Sequence, residues 1–292
     1  MTIDTIIRRS IDLHVHIGPE IIPRKFIVPT LLAGQTGRIA GMALKNHFFS
    51  TVPFINEINK TKLMLIGSVV LNTFVGGLNP DAVYAASTLA KETFIVWFPT
   101  VSSKQFLKNS PWEIAPEWVK RKNFMARTSK EVDGIDIIDT NGKLKNEAIR
   151  VLKVIKKTGA ILATGHISWK ASLALVKAAS AMGIKKIIVT HPIYQKIAMP
   201  VDVQKQLTRY GAIIEQCYSM YLIDKIPIST IASQIKAVGY QYCVISSDVG
   251  QAFSPAPSVA LKRFSRLLIR EGTSLEQLTT MLVKNPKRLI GI

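Results

Sequence analysis

Cysteine, acidic residues and long apolar runs are all scarce in this sequence. The two cysteines, Cys217 and Cys243, have no CxxC or zinc-finger spacing, which excludes a disulfide framework and reads as a pair of reduced core thiols. No apolar run reaches the roughly 18–20 residues that a bilayer span requires, and the opening MTIDTIIRRSIDLHVH carries no apolar core of signal-peptide length. A cytoplasmic location without membrane contact is therefore expected. Proline and glycine form no tracts, so no linker or low-complexity segment is indicated and residues 1–292 are expected to be one domain. Asp and Glu number 19 against 38 Lys and Arg, a formal charge of +19. Such a surplus attracts phosphates when it is clustered. Here it falls in scattered pairs such as Lys156-Lys157 and Lys185-Lys186, so a solvated, lysine-rich exterior explains it better than a nucleic-acid partner.

What the sequence does contain is a repeating period. Apolar runs bounded by Gly, Pro or polar clusters give eight candidate strands, at 11–16, 41–47, 63–72, 93–100, 160–166, 186–191, 212–218 and 242–248, each followed by a segment of helical character. Gly159, Gly183, Gly211 and Gly239 each stand just after a helical stretch and just before a strand, where a left-handed cap costs glycine least. Helix starts are marked by Pro80-Asp81, by Ser168 and by a capping box from Thr273 to Glu276. Strands alternating with helices, each strand almost continuously apolar, imply a parallel sheet covered on both faces. Eight such units favour a TIM-type (β/α)8 barrel over an open sheet. No GxGxxG follows the first strand, so no dinucleotide or other organic cofactor is expected. The segment 101–142 is an insertion expected over the barrel mouth, its tail GIDIIDTNGKL reading as a β-hairpin with an Asn-Gly turn.

Only five histidines occur, His14, His16, His47, His166 and His191, and each falls at the C-terminal end of a proposed strand. Those ends form the catalytic face of such a barrel. Alternation places His14 and His16 on one face, with Asp12 two residues below them, and a two-residue spacing lets two imidazoles meet one ion. With a carboxylate from Asp248, the set has the composition of a zinc-like shell with an open position. Lys45, on the inward column with His47, would pay for desolvation unless an anion paired with it, so a substrate carboxylate or phosphate, or a bridging role if carboxylated, is expected there. Arg24, shortly after the HxH pair, is expected to reach the mouth and contact substrate. Gly76-Gly77 could cradle an anion with their amides or simply form a tight turn.

The segments DLHVHIGPE, GHIS, VTHP, SSDVGQ and NPKRLIGI resemble the amidohydrolase-like metal-dependent hydrolase superfamily over nearly the whole chain, and a little-characterised bacterial and archaeal group within it most of all. The resemblance implies a barrel whose His14, His16, His166 and Asp248 bind a divalent metal, zinc by expectation. His191 then completes a second site or polarises substrate or water, and Asp248 also acts as general base. It implies a small-molecule substrate, an anionic amide, lactone or ester, attacked by metal-activated water. The strand-four end, WFPT, lacks the bridging ligand of two-metal members, so one ion is expected rather than two. The chain as given also leaves no room for the flanking β-sandwich of larger members. His47 resembles instead a histidine of polymerase-and-histidinol-phosphatase-type phosphoesterases, which keeps a phosphoesterase open and leaves His47 as either ligand or substrate contact. A metal-dependent decarboxylase or lyase, and a basic nucleic-acid-binding protein on an inactive barrel, are the remaining alternatives. A homo-oligomer is left open.

Overall fold

The computed structural model describes residues 2–56, 58, 61–119 and 121–292. Nine parallel strands occupy the eight expected positions: β1 (Ile11–His16), β2 (Gly41–Lys45), β3 (Met64–Ile66), β4 (Ser68–Val70), β5 (Ile95–Trp97), β6 (Ile161–Ala163), β7 (Ile187–Val189), β8 (Ile213–Cys217) and β9 (Cys243–Ser246). The run 63–72 is split at Gly67 because its first half pairs with β2 and its second with β5. The ladders consequently form two sheets, β1-β2-β3 and β4-β5-β6-β7-β8-β9. Side chains bridge the first junction: Ser68 Oγ donates to the Leu44 carbonyl at 2.6 Å, and so does Thr51 Oγ1 at 2.7 Å. The second junction, between β9 and β1, is closed by backbone bonds from Asp248 N to the His14 carbonyl and from His16 N to the Val249 carbonyl, both 2.8 Å.

Asp12 belongs to this closure and not to the column beneath His14. The β1–β2 register shifts between Asp12 and Val15, and a bulge of this kind breaks the strict alternation of faces. Leu13 belongs to the apolar cluster inside the ring of strands, with Trp97, Ile161 and Val244, whereas Val15 belongs to the outer cluster that the helices share, with Leu175 and Phe264. The Asp12 Oδ1 accepts the amides of His14 (3.2 Å) and Ser247 (3.0 Å), filling the gap left by the missing ladder. Burial pushes its carboxyl up to about 7.

Two apolar layers hold the ring. The interior layer takes one face of the strands and is plugged by Leu289 and Ile290 of the last helix. The outer layer lies between strands and helices and is filled by Leu152, Leu175, Leu207, Ile231 and Phe264. Each fully buried aliphatic or aromatic side chain contributes about 1.5–3 kcal/mol. Local signals match the helix ends closely. Ser168 accepts from Ala171 N, and Gly159 caps its helix with φ 69°. The capping box, however, is Ser274 with Gln277, one residue later than expected, because Ser274 is the residue whose backbone is extended.

The tail of the 101–142 segment forms a short hairpin, with an antiparallel bridge between Ile138 and Leu144 and backbone bonds from Asp139 N to the Lys143 carbonyl and from Lys145 N to the Ile137 carbonyl, around a turn pinned by the Asp139 carboxylate. Gly76 and Gly77 donate their amides to the carbonyls of Thr73 and Asn72, so the turn uses both donors and no anion cradle exists. Among the described residues no helix is long and apolar enough to cross a membrane.

Candidate metal centre

All five histidines converge at the C-terminal mouth of the strands, but by two routes. His14 and His16 lie within β1, while His47, His166, His191 and Asp248 lie past the ends of β2, β6, β7 and β9. Their placement rests on loop geometry, not on strand alternation. Gly165, before His166, has φ 64°, and a Cβ there would stand 2.1 Å from the Phe98 carbonyl oxygen. Gly250 is held at φ 140° with the His16 carbonyl oxygen 2.1 Å from where its Cβ would be. Between these supports Asp248 itself sits at φ 50°, a strained conformation for a non-glycine residue of the kind that concentrates at functional sites.

Asp248 is the hub. Its Oδ1 lies 3.1 Å from His14 Nε2 and 3.0 Å from His16 Nε2, and its Oδ2 accepts the Ser219 hydroxyl at 2.6 Å and lies 4.0 Å from His191 Nε2. Burial alone would raise its pKa, but His14, His16 and His191 outweigh burial and hold the carboxyl well below the usual range. His14, His16 and Asp248 each offer a ligand atom within 4.8 Å of the others. His166 stands alongside, its ring 5.1 Å from that of His191, with a buried Nδ1 that has no partner among the described residues. Burial, reinforced by neighbouring positive groups, drives His16, His47 and His166 well below the ordinary histidine range and His191 to about 4. All four are neutral imidazoles at pH 7.

Glu215 on β8 is the residue that the sequence reading missed. Its Oε2 lies 3.2 Å from His14 Nδ1, and a carboxylate at that distance accepts the Nδ1 hydrogen, fixing the tautomer. His14 Nε2 then presents a lone pair to Asp248 Oδ1 at 3.1 Å. Two acceptors so close are held together by a cation, and the Lys45 ammonium, 3.0 Å from the same nitrogen, is one that the chain itself supplies. The signal was available, since a Glu interrupting the apolar run AIIEQCY has no reason to be buried unless it is paired.

Lys45 departs from expectation. Its amine is turned down to His14 Nε2 at 3.0 Å and over the Trp97 ring at 4.4 Å, and it is not on the wall of the mouth cavity. Lys45 is thus buried against His14 and Trp97, below the cavity on which a substrate contact was expected. Burial lowers its pKa to about 8, which brings its uncharged form within reach near neutrality. Among the described residues the strand-four end supplies no ligand; the Trp97 ring lies tilted against His14 at 4.5 Å and Thr100 bonds His47 at 2.9 Å.

Above the centre lies a cavity of about 340 Å³, within the size range of small-molecule sites. His16, His47, His166, His191 and Asp248 border it from below, and Phe106, Trp112, Ile114 and Trp118 of the 101–142 segment border it from above. The hairpin tail at 135–144 is not on its wall. Arg24 does reach it, with its guanidinium ion-paired to the buried Glu20. Lys196 also borders the cavity, its ammonium 4.1 Å from the Phe106 ring centroid, bonded to the Ser110 hydroxyl. Among the described residues no carboxylate lies within ion-pair distance of Lys196.

Comparison with known proteins agrees with this architecture. The model of a family of unknown function (DUF6282) matches residues 9–215. No curated protein matches. Among solved structures, an amidohydrolase from Pseudomonas aeruginosa is similar at 9% identity and TM-score 0.64, over 99% of this chain and 98% of that one. A TatD homologue from Escherichia coli follows at 13% identity and TM-score 0.55, over 98% and 99%. A dihydroorotase from Saccharomyces cerevisiae, in complex with 5-fluoroorotic acid, matches at 13% identity and TM-score 0.56, over 97% and 84%. The fold is that of the amidohydrolase-like barrels.

Proposed function

We propose, for a chain that belongs to the family of unknown function DUF6282, that it is a metal-dependent hydrolase of a small anionic amide, lactone or ester. The observation that carries this reading is the convergence of His14 Nε2, His16 Nε2 and Asp248 Oδ1, ligand atoms within 4.8 Å of one another at the mouth of the strands. Two imidazole nitrogens and one carboxylate oxygen suit a single divalent ion, zinc above the hard cations. His14, His16 and Asp248 would hold it, with His166 and His191 at its open side. When bound, such an ion supplies a Lewis acid and brings the pKa of its water toward about 7.

The chain's own groups do the rest. Asp248 Oδ2, on the cavity side, is the base positioned to take a proton from the attacking water, while the Ser219 hydroxyl steadies it. His191, neutral and 4.0 Å from that oxygen, orients water or substrate. Lys196, with no carboxylate within ion-pair distance among the described residues, favours an anionic substrate, while the Arg24 charge is met by Glu20; Phe106, Trp112 and Trp118 border the cavity above. The dihydroorotase neighbour, which holds a cyclic carboxylic acid, supports the same substrate class.

Two outcomes follow. Chelator-treated protein reloaded with zinc should hydrolyse members of a panel of carboxylate-bearing lactones, amides and esters, and lose that turnover when the metal is withheld. Turnover confined to phosphate monoesters, or release of carbon dioxide, would contradict the assignment. Glu215→Gln removes the negative charge behind His14 Nδ1 and should weaken zinc affinity by about 10- to 100-fold, read by competition with a chromogenic chelator.

A further inference from the structure

Histidines with a partner on Nδ1 are locked into tautomers, and His14 and His47 are locked oppositely. For His14 the partner is a carboxylate, which can only accept. For His47 it is the Thr100 hydroxyl, 2.9 Å away, which can do either, so its other bonds decide. The Asn72 side chain settles them. Its Oδ1 accepts the backbone amides of Thr100 (2.8 Å) and Ser102 (3.3 Å), which fixes the amide orientation. Its Nδ2 must then donate, to Thr100 Oγ1 at 2.8 Å and to the His47 carbonyl at 3.0 Å. Thr100 is fully buried, and His47 Nδ1 is the only acceptor near its hydroxyl hydrogen among the described residues. A buried hydroxyl does not leave its hydrogen unpaired when an acceptor is in reach. Thr100 therefore donates to His47 Nδ1, and the neutral ring carries its own hydrogen on Nε2.

That nitrogen has no protein partner among the described residues and is not sealed in the interior, and His47 borders the cavity beside His16, ring to ring at 4.7 Å. The backbone is pinned as well: His47 N donates to Glu20 Oε2 at 3.0 Å, and its carbonyl accepts from Asn72. A fixed N–H on the wall of such a cavity is a preorganised donor for developing negative charge.

We infer that His47 is not a metal ligand but a catalytic hydrogen-bond donor, its Nε2–H stabilising the oxyanion that forms on the carbonyl oxygen of the substrate. Thr100 and Asn72 are the positioning residues that impose this tautomer. The inference rests on the hydrolase reading for its substrate oxygen, but the tautomer itself does not.

The test is long-range proton–nitrogen correlation NMR on protein labelled with 15N-histidine, with the His47 signals assigned by their loss in His47→Gln. The expected result is an Nε2–H tautomer for His47 in the wild type, retained in Thr100→Ser and lost as a single state in Thr100→Val. Zinc stoichiometry should be unchanged in His47→Gln. On any carbonyl substrate found, kcat of His47→Ala should fall by about 10²–10³-fold with little change in KM, and His47→Gln, which restores an N–H, should recover part of it. An Nδ1–H tautomer in the wild type, or loss of zinc from His47→Gln, overturns the inference. Absence of any carbonyl substrate overturns the hydrolase reading instead, and leaves the tautomer to be scored on its own.

Discussion

Asp248→Asn is expected to lower kcat by about 10²–10⁴-fold on any substrate the protein hydrolyses, with its thermal transition close to that of the wild type. The substitution removes one charge and almost no volume. It costs the centre its anionic oxygen between His14 and His16 and its proton acceptor at Oδ2. The backbone should tolerate the change, because asparagine is among the few non-glycine residues that adopt the left-handed region readily, and Asp248 occupies φ 50°. Parallel measurement of steady-state rates and circular-dichroism melting separates the two effects. A variant within tenfold of the wild-type rate would remove Asp248 from the chemistry.

Mild acid should unfold the metal-free protein. His16, His47, His166 and His191 have depressed folded-state values, His191 to about 4, so each contributes stability above the unfolded histidine value near 6.5 that is lost as the pH falls. Asp12, held up to about 7, the partly exposed Asp224, up to about 6, and Glu20, raised by burial, act oppositely. Their folded forms take up protons first and gain stability as the pH drops. Four groups outweigh three, one of them screened by solvent, so a net loss of stability is expected by pH 5. Urea titrations of chelator-treated protein at pH 7.5 and pH 5 read it directly. An unchanged or higher midpoint at pH 5 would mean that the histidines are not buried neutral.

The fold was readable because burial on both faces leaves a plain mark: apolar runs of the right length, four of them preceded by a glycine such as Gly159 or Gly183 that takes positive φ and ends the helix before the strand. The histidines were readable for a related reason, since a barrel delivers strand ends to one mouth. Their geometry was not. Only His14 and His16 belong to a strand, and the β1 bulge, which displaces Asp12 from beneath them, depends on pairing with β2. Lys45 was placed correctly on an inward column and wrongly at the mouth, because length and rotamer turned its amine back to His14 and Trp97. Glu215 stayed hidden as one letter in an apolar run, although its partner lies 201 residues away in sequence. Nothing local in AIIEQCY encodes that distance. The tautomer of His47 lies deeper still, in a chain of donors running from two backbone amides through Asn72 and Thr100.

The metal centre itself is tested most directly by elemental analysis of purified protein after zinc loading and removal of free metal, for the wild type and the His14→Ala/His16→Ala double variant. One equivalent in the wild type, and none above background in a double variant that keeps its circular-dichroism spectrum, is the predicted result. A folded double variant that retains wild-type zinc, or a wild type that binds none, would contradict it.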